Sequence, residues 1–443
     1  MRVLIVAYHF PPDAEVGAVR PHQIARHLPE FGIEPWVLTV EPAYAESPDA
    51  GVVAQGVPED RIVRTSVDTT SFDLVTGLWR AGKRLTRRWQ ARVTSQERAE
   101  PRERAASAAV SERRDLARHV LGYPDPKIGW LQPAVRAAAQ VLRRERFDAI
   151  LSTSPPKVAA LAAERIARQH RIPWIMDVRD PWWGWYHTAT SYDGEYPLLA
   201  ALHARRFRRC VRQASLIVHN TERLRLLTCR MAPDVTAKTR CVPNGIDSAW
   251  SAPRDGARPV AFRIGYYGQV MGRRNPSAFL QGLRSWLDSR REHPNVEVCF
   301  FGSGFEEIRR QVKGLGLESC VVLSSQLPRA DVPGEMAKDF ALLLVANEQP
   351  LQIPGKTYEY LAAGRRILAL TENDGATADL LRPLPGCLIA DTPTQVQAAL
   401  DDLYRQYEAG SAAWVDRGSV IAELQYSRRV ERFAEFIHEV VKR

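Results

Sequence analysis

Short apolar runs, each leading through a loop into a helical pattern and then into another apolar run, recur along both halves of this chain. That alternation confines it to an α/β architecture built on parallel sheets. The opening run, MRVLIVAYHF, passes into a loop over residues 11–20. Apolar residues at helical spacing follow (Ile24, Ala25, Leu28, Phe31), and a second strand is expected over 35–40. Strand, loop, helix and strand within forty residues make a βαβ unit with a right-handed crossover. The pattern resumes with strands at 148–152, 174–177 and 216–219 and helices at 158–170 and 198–214. A turn signal at Asn244-Gly245 and a linker-like stretch interrupt it. It then restarts, with strands at 262–267, 296–301, 320–324, 341–345 and 367–370 and helices at 277–291, 305–314, 356–363 and 377–381. Two α/β halves follow from this reading. In such sheets ligands bind beyond the carboxyl ends of the strands, so two sheets facing each other make a cleft able to hold two substrates.

Composition narrows the class. Hydrophobic residues are 45% and charged residues 25% of 443, a globular balance that excludes a largely disordered or collagenous chain. No apolar run approaches the ~20 residues needed to cross a bilayer. The opening run stops at Pro11-Pro12 without a cleavage site, unlike a signal peptide. The six cysteines (Cys210, Cys229, Cys241, Cys299, Cys320, Cys387) show no CxxC spacing and read as reduced residues of a cytosolic protein. The net charge is +10, and the stretch from Trp79 to Val120 contributes much of it, with twelve basic and five acidic residues. There Leu74, Leu78, Leu85 and Trp89 recur at helical spacing among Arg80, Lys83, Arg84, Arg87 and Arg88. A solvated helical insertion accounts for this pattern, and so does a helix lying on an anionic membrane surface. Nucleic acid is not an expected partner, because no zinc-finger spacing, aromatic ribonucleoprotein motif or basic heptad region accompanies the charge.

The sharpest segment is IPGKTYEYLAAG, residues 353–364. Pro354 and Gly355 open a helix whose free N–H groups, with Lys356, suit a phosphate. Glu359, one turn in, suits two vicinal hydroxyls such as those of a ribose. Position 350 is Pro, so this is not a P-loop. A second segment, GYYGQVMGRRNP at 265–276, ends a strand in glycines, Gly268 among them, and adds Arg273 and Arg274 for a diphosphate. Surface arginines account for it equally well. Phe300-Phe301-Gly302-Ser303-Gly304 is strand-then-glycine, but Glu307 breaks the GxGxxG pattern, disfavouring a nicotinamide site. Near the N-terminus, Gly17 allows close backbone approach and Arg20 suits an anion. Asp177-Val178-Arg179-Asp180-Pro181-Trp182-Trp183 places carboxylates beside indoles, a combination suited to sugars, although Asp180 would equally cap a turn. DxD, HExxH and GxSxG are all absent, which removes the signatures of metal-dependent sugar transferases, zinc proteases and α/β-hydrolases.

Taken in order, these segments resemble glycosyltransferase family 4. The matching pieces are the PP…G…R loop, PNGID at 243–247, YYG…RR at 266–274, FGSG at 301–304 and PGKTYEYLAAG. The resemblance implies a GT-B fold, two Rossmann-like domains facing across a cleft. An acceptor-binding domain would span 1–245, with a basic helical insertion around 75–120. A linker over 246–260 would lead to a nucleotide-sugar-binding domain over 261–420, and a C-terminal helix over 421–443 would cross back to the first domain. It also implies a retaining, metal-independent transferase of the bacterial surface-glycan type, with no cofactor beyond its nucleotide diphosphate sugar. Donor contacts would be Gly268, Gly302, Gln326, Leu327, Gly355, Lys356, Thr357 and Glu359. Lys356 and Arg273/Arg274 would stabilise the leaving diphosphate, which would take the acceptor's proton, and Asp180 would act near the reacting centre. Gly17, Arg20, Arg179 and Trp182 would lie on the acceptor side. The acceptor would be a glycan, a lipid-linked molecule or a natural product, and the protein cytoplasmic, on the inner face of the plasma membrane if the basic helix attaches there. Two departures stand out: Leu351 occupies the place of the family's first glutamate, and Ser152-Thr153-Ser154 that of a histidine. They keep two alternatives open, an epimerase of the same fold and a silent nucleotide-sugar-binding protein.

Overall fold

The computed structural model describes residues 1–71, 73, 120, 122–182, 197–247, 261–270, 275–290 and 294–442. Arg273 and Arg274, the basic stretch with Leu74 to Trp89, and most of the expected linker lie outside the described residues.

Thirteen strands are described: β1 (Arg2–Val6), β2 (Glu34–Val40), β3 (Ile62–Thr65), β4 (Ala149–Ser154), β5 (Trp174–Val178), β6 (Leu216–His219), β7 (Thr239–Cys241), β8 (Phe262–Tyr267), β9 (Val296–Phe301), β10 (Val321–Ser324), β11 (Ala341–Val345), β12 (Arg366–Leu370) and β13 (Cys387–Ala390). They form two sheets. The first has seven strands in the order β3-β2-β1-β4-β5-β6-β7, and the second six in the order β10-β9-β8-β11-β12-β13. Each order reverses beside its first strand. β1 pairs in parallel with both β2 and β4 (Val3 opposite Pro35 and Ala149), and β8 with both β9 and β11 (Ile264 opposite Val298 and Ala341). That reversal is the topological switch point at which open α/β sheets hold ligands. The chain divides into two compact units, Met1–Asp177 with Ala201–Leu216 and Ile437–Arg443, and Val178–Ala200 with Ile217–Phe436.

Strands inside the sheets are largely buried, as parallel strands covered on both faces must be. Every residue of β4, β5, β6, β11 and β12 is buried. The period of two divides β11 between two cores. Ala341, Leu343 and Val345 join a cluster with Phe262, Trp286 and Phe340, whereas Leu342, Leu344 and Ala346 join Tyr358, Tyr360 and Leu361. The second cluster therefore includes the helix Gly355–Ala362, whose N-terminus is the candidate phosphate site.

Two local differences from the sequence reading matter. The expected loop over 11–20 is shorter, because a helix, Val16–His27, starts early and carries both Gly17 and Arg20. Pro21 inside that helix and Gly17 in its first turn disguise it as loop. Edge strands β3, β7 and β13, of three or four part-exposed residues, lack a continuous apolar run.

Candidate functional site

In the second sheet the candidate donor residues gather at the ends of β8 and β9 and at the helix Gly355–Ala362. The chain turns sharply after both strands. Gly268 has φ +127° and Gly302 φ +156°, and the loops are zipped together by Gly268 N–H donating to Phe301 O at 2.8 Å and Val270 N–H to Ser303 O at 3.0 Å. The approach is so close that a Cβ on Gly302 would sit 2.0 Å from Gly268 O. Because the obstacle is backbone, Gly302→Ala is expected to lower stability by about 1–3 kcal/mol, the usual cost of overpacking, and to weaken binding of any ligand seated on this loop. Chemical denaturation and ligand titration of the variant check both.

Lys356 reaches across this loop. Its Nζ donates to Tyr267 O at 2.9 Å and to Tyr266 Oη at 3.2 Å, and it lies 4.3 Å from the centre of the Tyr266 ring. A Cβ on Gly268 would be 2.7 Å from the same ammonium, so the glycine makes the reach possible. A cation in the first turn opposes the helix dipole, and the first turn itself holds no acidic residue. Glu359, one turn on, keeps 38% of its side chain exposed and lies 3.9 Å from Arg329. Burial pushes its carboxyl up, with Arg329 and Lys356 opposing.

A buried network fixes the strand end beneath. Tyr267 N–H donates to Tyr360 Oη at 2.9 Å, and Tyr267 Oη donates to Asp339 Oδ2 at 2.6 Å. Asp339 is fully buried, and that desolvation pushes its carboxyl up to about 7 against the pull of Arg263, 3.4 Å away. Sequence reading missed Tyr267 and Asp339, since no motif marks a buried Tyr–Asp pair.

The remaining expected donor contacts fall as follows. Gly355 opens the helix, Gln326 is exposed in the loop after β10, and Leu327 packs partly against the second core. Thr357 turns its side chain fully into the core, where its hydroxyl has no hydrogen-bond partner among the described residues. Leu351 is buried, and its carbonyl accepts from Thr221 Oγ1 at 2.7 Å. Glu348 adopts φ +58°, a strained value for a non-glycine residue, with its N–H bonded to the Glu372 carboxylate. Asp180 accepts from Gln352 Nε2 at 2.6 Å, and Arg179 and Trp182 are both buried.

In the first sheet, Arg20 is 2% exposed and grips Asp177 at the end of β5 through two bonds, Nε to Oδ2 at 2.9 Å and Nη2 to Oδ1 at 2.8 Å. Thr153 Oγ1 donates to the same carboxylate at 2.9 Å. Arg20 is thus held by a carboxylate of the protein itself. Gly17 lies against His9, whose Nδ1 is 2.7 Å from Asp13 Oδ2. Neither His9 nor Asp13 was singled out from sequence, although the H-x-x-x-D spacing directly after β1 was there to be read. Among the described residues no three His, Cys, Asp or Glu side chains are grouped to hold a metal ion.

Residues 74–250 match the family model described as Glycosyltransferase Family 4. The chain has the GT-B fold, and this stretch of it resembles glycosyltransferase family 4. The matched stretch and the PGKTYEYLAAG helix occupy different parts of the sequence, so they support the resemblance independently. Solved structures of low identity share the fold of this GT-B chain over nearly its whole length. HepE from Anabaena, in complex with UDP-glucose, is 14% identical with a TM-score of 0.60, covering 99% of this chain and 100% of its own. The lipopolysaccharide outer core galactosyltransferase WaaB is 12% identical with a TM-score of 0.58, at 98% and 99% coverage. A putative UDP-N-acetylglucosamine 2-epimerase from Listeria monocytogenes is 10% identical with a TM-score of 0.51, at 98% and 94%. No curated protein matches the sequence.

Proposed function

We propose that this chain is a retaining, metal-independent glycosyltransferase that moves a sugar from a nucleotide diphosphate sugar to a hydroxyl of a glycan, lipid-linked or natural-product acceptor. One observation carries the reading: the Lys356 ammonium is held over the glycine turn at the β8 switch point, at the mouth of the helix Gly355–Ala362. Breaking the anomeric C–O bond builds negative charge on the departing diphosphate. A fixed ammonium and free helix N–H groups there stabilise that charge without reorganising. Glu359, about one helical turn on from Gly355, would accept from the ribose hydroxyls. HepE with bound UDP-glucose supports a nucleotide-sugar donor.

The test is thermal stabilisation by a panel of UDP, GDP, ADP, CMP and dTDP sugars, with and without EDTA. A specific ligand at ~100 times its dissociation constant adds about 2.7 kcal/mol. One EDTA-insensitive hit is expected, followed by transfer with the donor's anomeric configuration kept, as read by NMR of the product. No hit across the panel removes the donor site. The structural likeness to an epimerase favours a second reading, in which donor is consumed without acceptor and an isomer accumulates. Attachment to an anionic membrane is a further part of the proposal, resting on the charge of residues 79–120. Salt-sensitive flotation with anionic vesicles checks it, and its absence removes the membrane-bound acceptor.

A further inference from the structure

The end of β8 is gripped in a way that strand pairing does not explain. β8 pairs with β9 as far as Tyr267 opposite Phe301, but with β11 only at Ile264 opposite Ala341 and Gly265 opposite Leu342. The strands part at the switch point, and Tyr267 lies beyond the parting. A trans peptide points its N–H and its C=O oppositely, so the bond from Gly268 N–H to Phe301 O on β9 turns Tyr267 C=O to the β11 side. In an extended strand the residue's own N–H faces the same way. Tyr267 therefore offers both backbone groups to a strand that has already turned aside.

Two side chains of the helix Gly355–Ala362 take that strand's place. Tyr267 N–H donates to Tyr360 Oη at 2.9 Å, and Tyr267 O accepts from Lys356 Nζ at 2.9 Å. Lys356 and Tyr360 are four residues apart, on one face of the helix. Tyr360 is fully buried, and its ring meets that of Tyr267 edge-on at 6.4 Å. A phenylalanine would fill the same core; only the hydroxyl closes the bond to the Tyr267 backbone. The Tyr267 ring is fixed as well, stacked on Phe301 at 5.2 Å and bonded through Oη to buried Asp339. Gly265 makes room for that bond, since a Cβ there would stand 2.1 Å from Asp339 Oδ2. All of these residues belong to the second compact unit.

We propose that Tyr360 is a positioning residue of the diphosphate site, holding the Tyr267 peptide in the parting of β8 and β11 so that its carbonyl keeps the Lys356 ammonium in place. Asp339 steadies the same residue through its ring. The inference rests on the transferase reading and deepens it by naming what orients Lys356. Without the Tyr360 hydroxyl, Tyr267 N–H loses its acceptor, the peptide is free to tilt, and the ammonium moves with it. A charge fixed in advance for the leaving diphosphate must then reorganise, which lowers rate rather than donor affinity.

The experiment uses the full chain with whichever nucleotide sugar stabilises it, and reads single-turnover release of nucleoside diphosphate with water as the acceptor. Tyr360→Phe is expected to slow that release about tenfold, below the roughly 10²-fold that a 1 Å misplacement can cost. Stabilisation by the nucleotide sugar should be unchanged. The deciding readout is non-additivity. In a Lys356→Ala background no ammonium is left to place, so Tyr360→Phe should change the rate by less than about twofold, whereas a general loosening of the core would recur in full. A Tyr360→Phe rate within threefold of wild type, or a loss of equal size in both backgrounds, overturns the assignment. If Tyr360→Phe does not fold, Tyr267→Phe, which frees the same peptide from Asp339, goes through the same two backgrounds: a loss confined to the one with Lys356 supports the assignment, and an equal loss overturns it. If no nucleotide sugar stabilises the wild type, the transferase reading falls and this role falls with it. If one does and Tyr360→Phe is unaffected, only the role of Tyr360 falls.

Discussion

Replacing Lys356 by alanine is expected to slow sugar transfer roughly 30- to 1,000-fold, about 2–4 kcal/mol of transition-state stabilisation. The size follows from geometry. The ammonium is not a solvated surface charge; two oxygens, Tyr267 O and Tyr266 Oη, hold it over the glycine turn. A charge fixed before the reaction is worth more to a developing anion than one that must be gathered from solvent. The loss should fall on kcat more than on donor affinity, because charge on the diphosphate grows as the anomeric bond breaks. Lys356→Met, which keeps most of the stem's packing, should lose as much activity with less change in stability. Steady-state kinetics with the donor found by thermal stabilisation decides it, and unchanged turnover in a folded Lys356→Ala would remove Lys356 from the mechanism.

The second large effect is on stability. Asp177→Ala is expected to cost about 3–5 kcal/mol, because it removes the carboxylate paired with the Arg20 guanidinium in a place where that side chain is 2% exposed. It also frees the Thr153 hydroxyl that donates to the same carboxylate. The double variant Arg20→Leu/Asp177→Leu should recover much of that loss, since two apolar side chains leave no buried charge unpaired. For a chain with two compact units the first thermal transition is the quantity to follow, as a single unfolding free energy is not defined across units. A change in Asp177→Ala below about 1 kcal/mol, the scale of an exposed pair, would contradict the buried pairing.

Much of the fold was legible because parallel strands buried on both faces must be continuous apolar runs. The strands expected at 262–267, 296–301, 341–345 and 216–219 coincide with the observed elements. The strands that escaped notice, β3, β7 and β13, sit at or near sheet edges, where one side is open and IVRT, TRC or CLIA suffices. The helix Leu131–Val141 escaped because Pro133 and a run of alanines blur its apolar stripe. Arg20 pairs with Asp177, 157 residues away in sequence, a partner that no local pattern marks.

What the sequence determined by itself is local. It set the alternation of strand and helix, the glycines that let β8 and β9 end in tight turns, and the lysine in the first turn of the helix Gly355–Ala362. Each is dictated within a few residues by burial, backbone freedom or the helix dipole. The tertiary structure alone decided the partners. Lys356 finds the carbonyl of Tyr267, 89 residues earlier, and Arg20 finds Asp177. His9 faces Asp13, only four residues along, because the loop turns back between them rather than because of any helical register. Strand order brings distant strand ends together at the switch points, and no periodicity along the chain records which polar groups meet there.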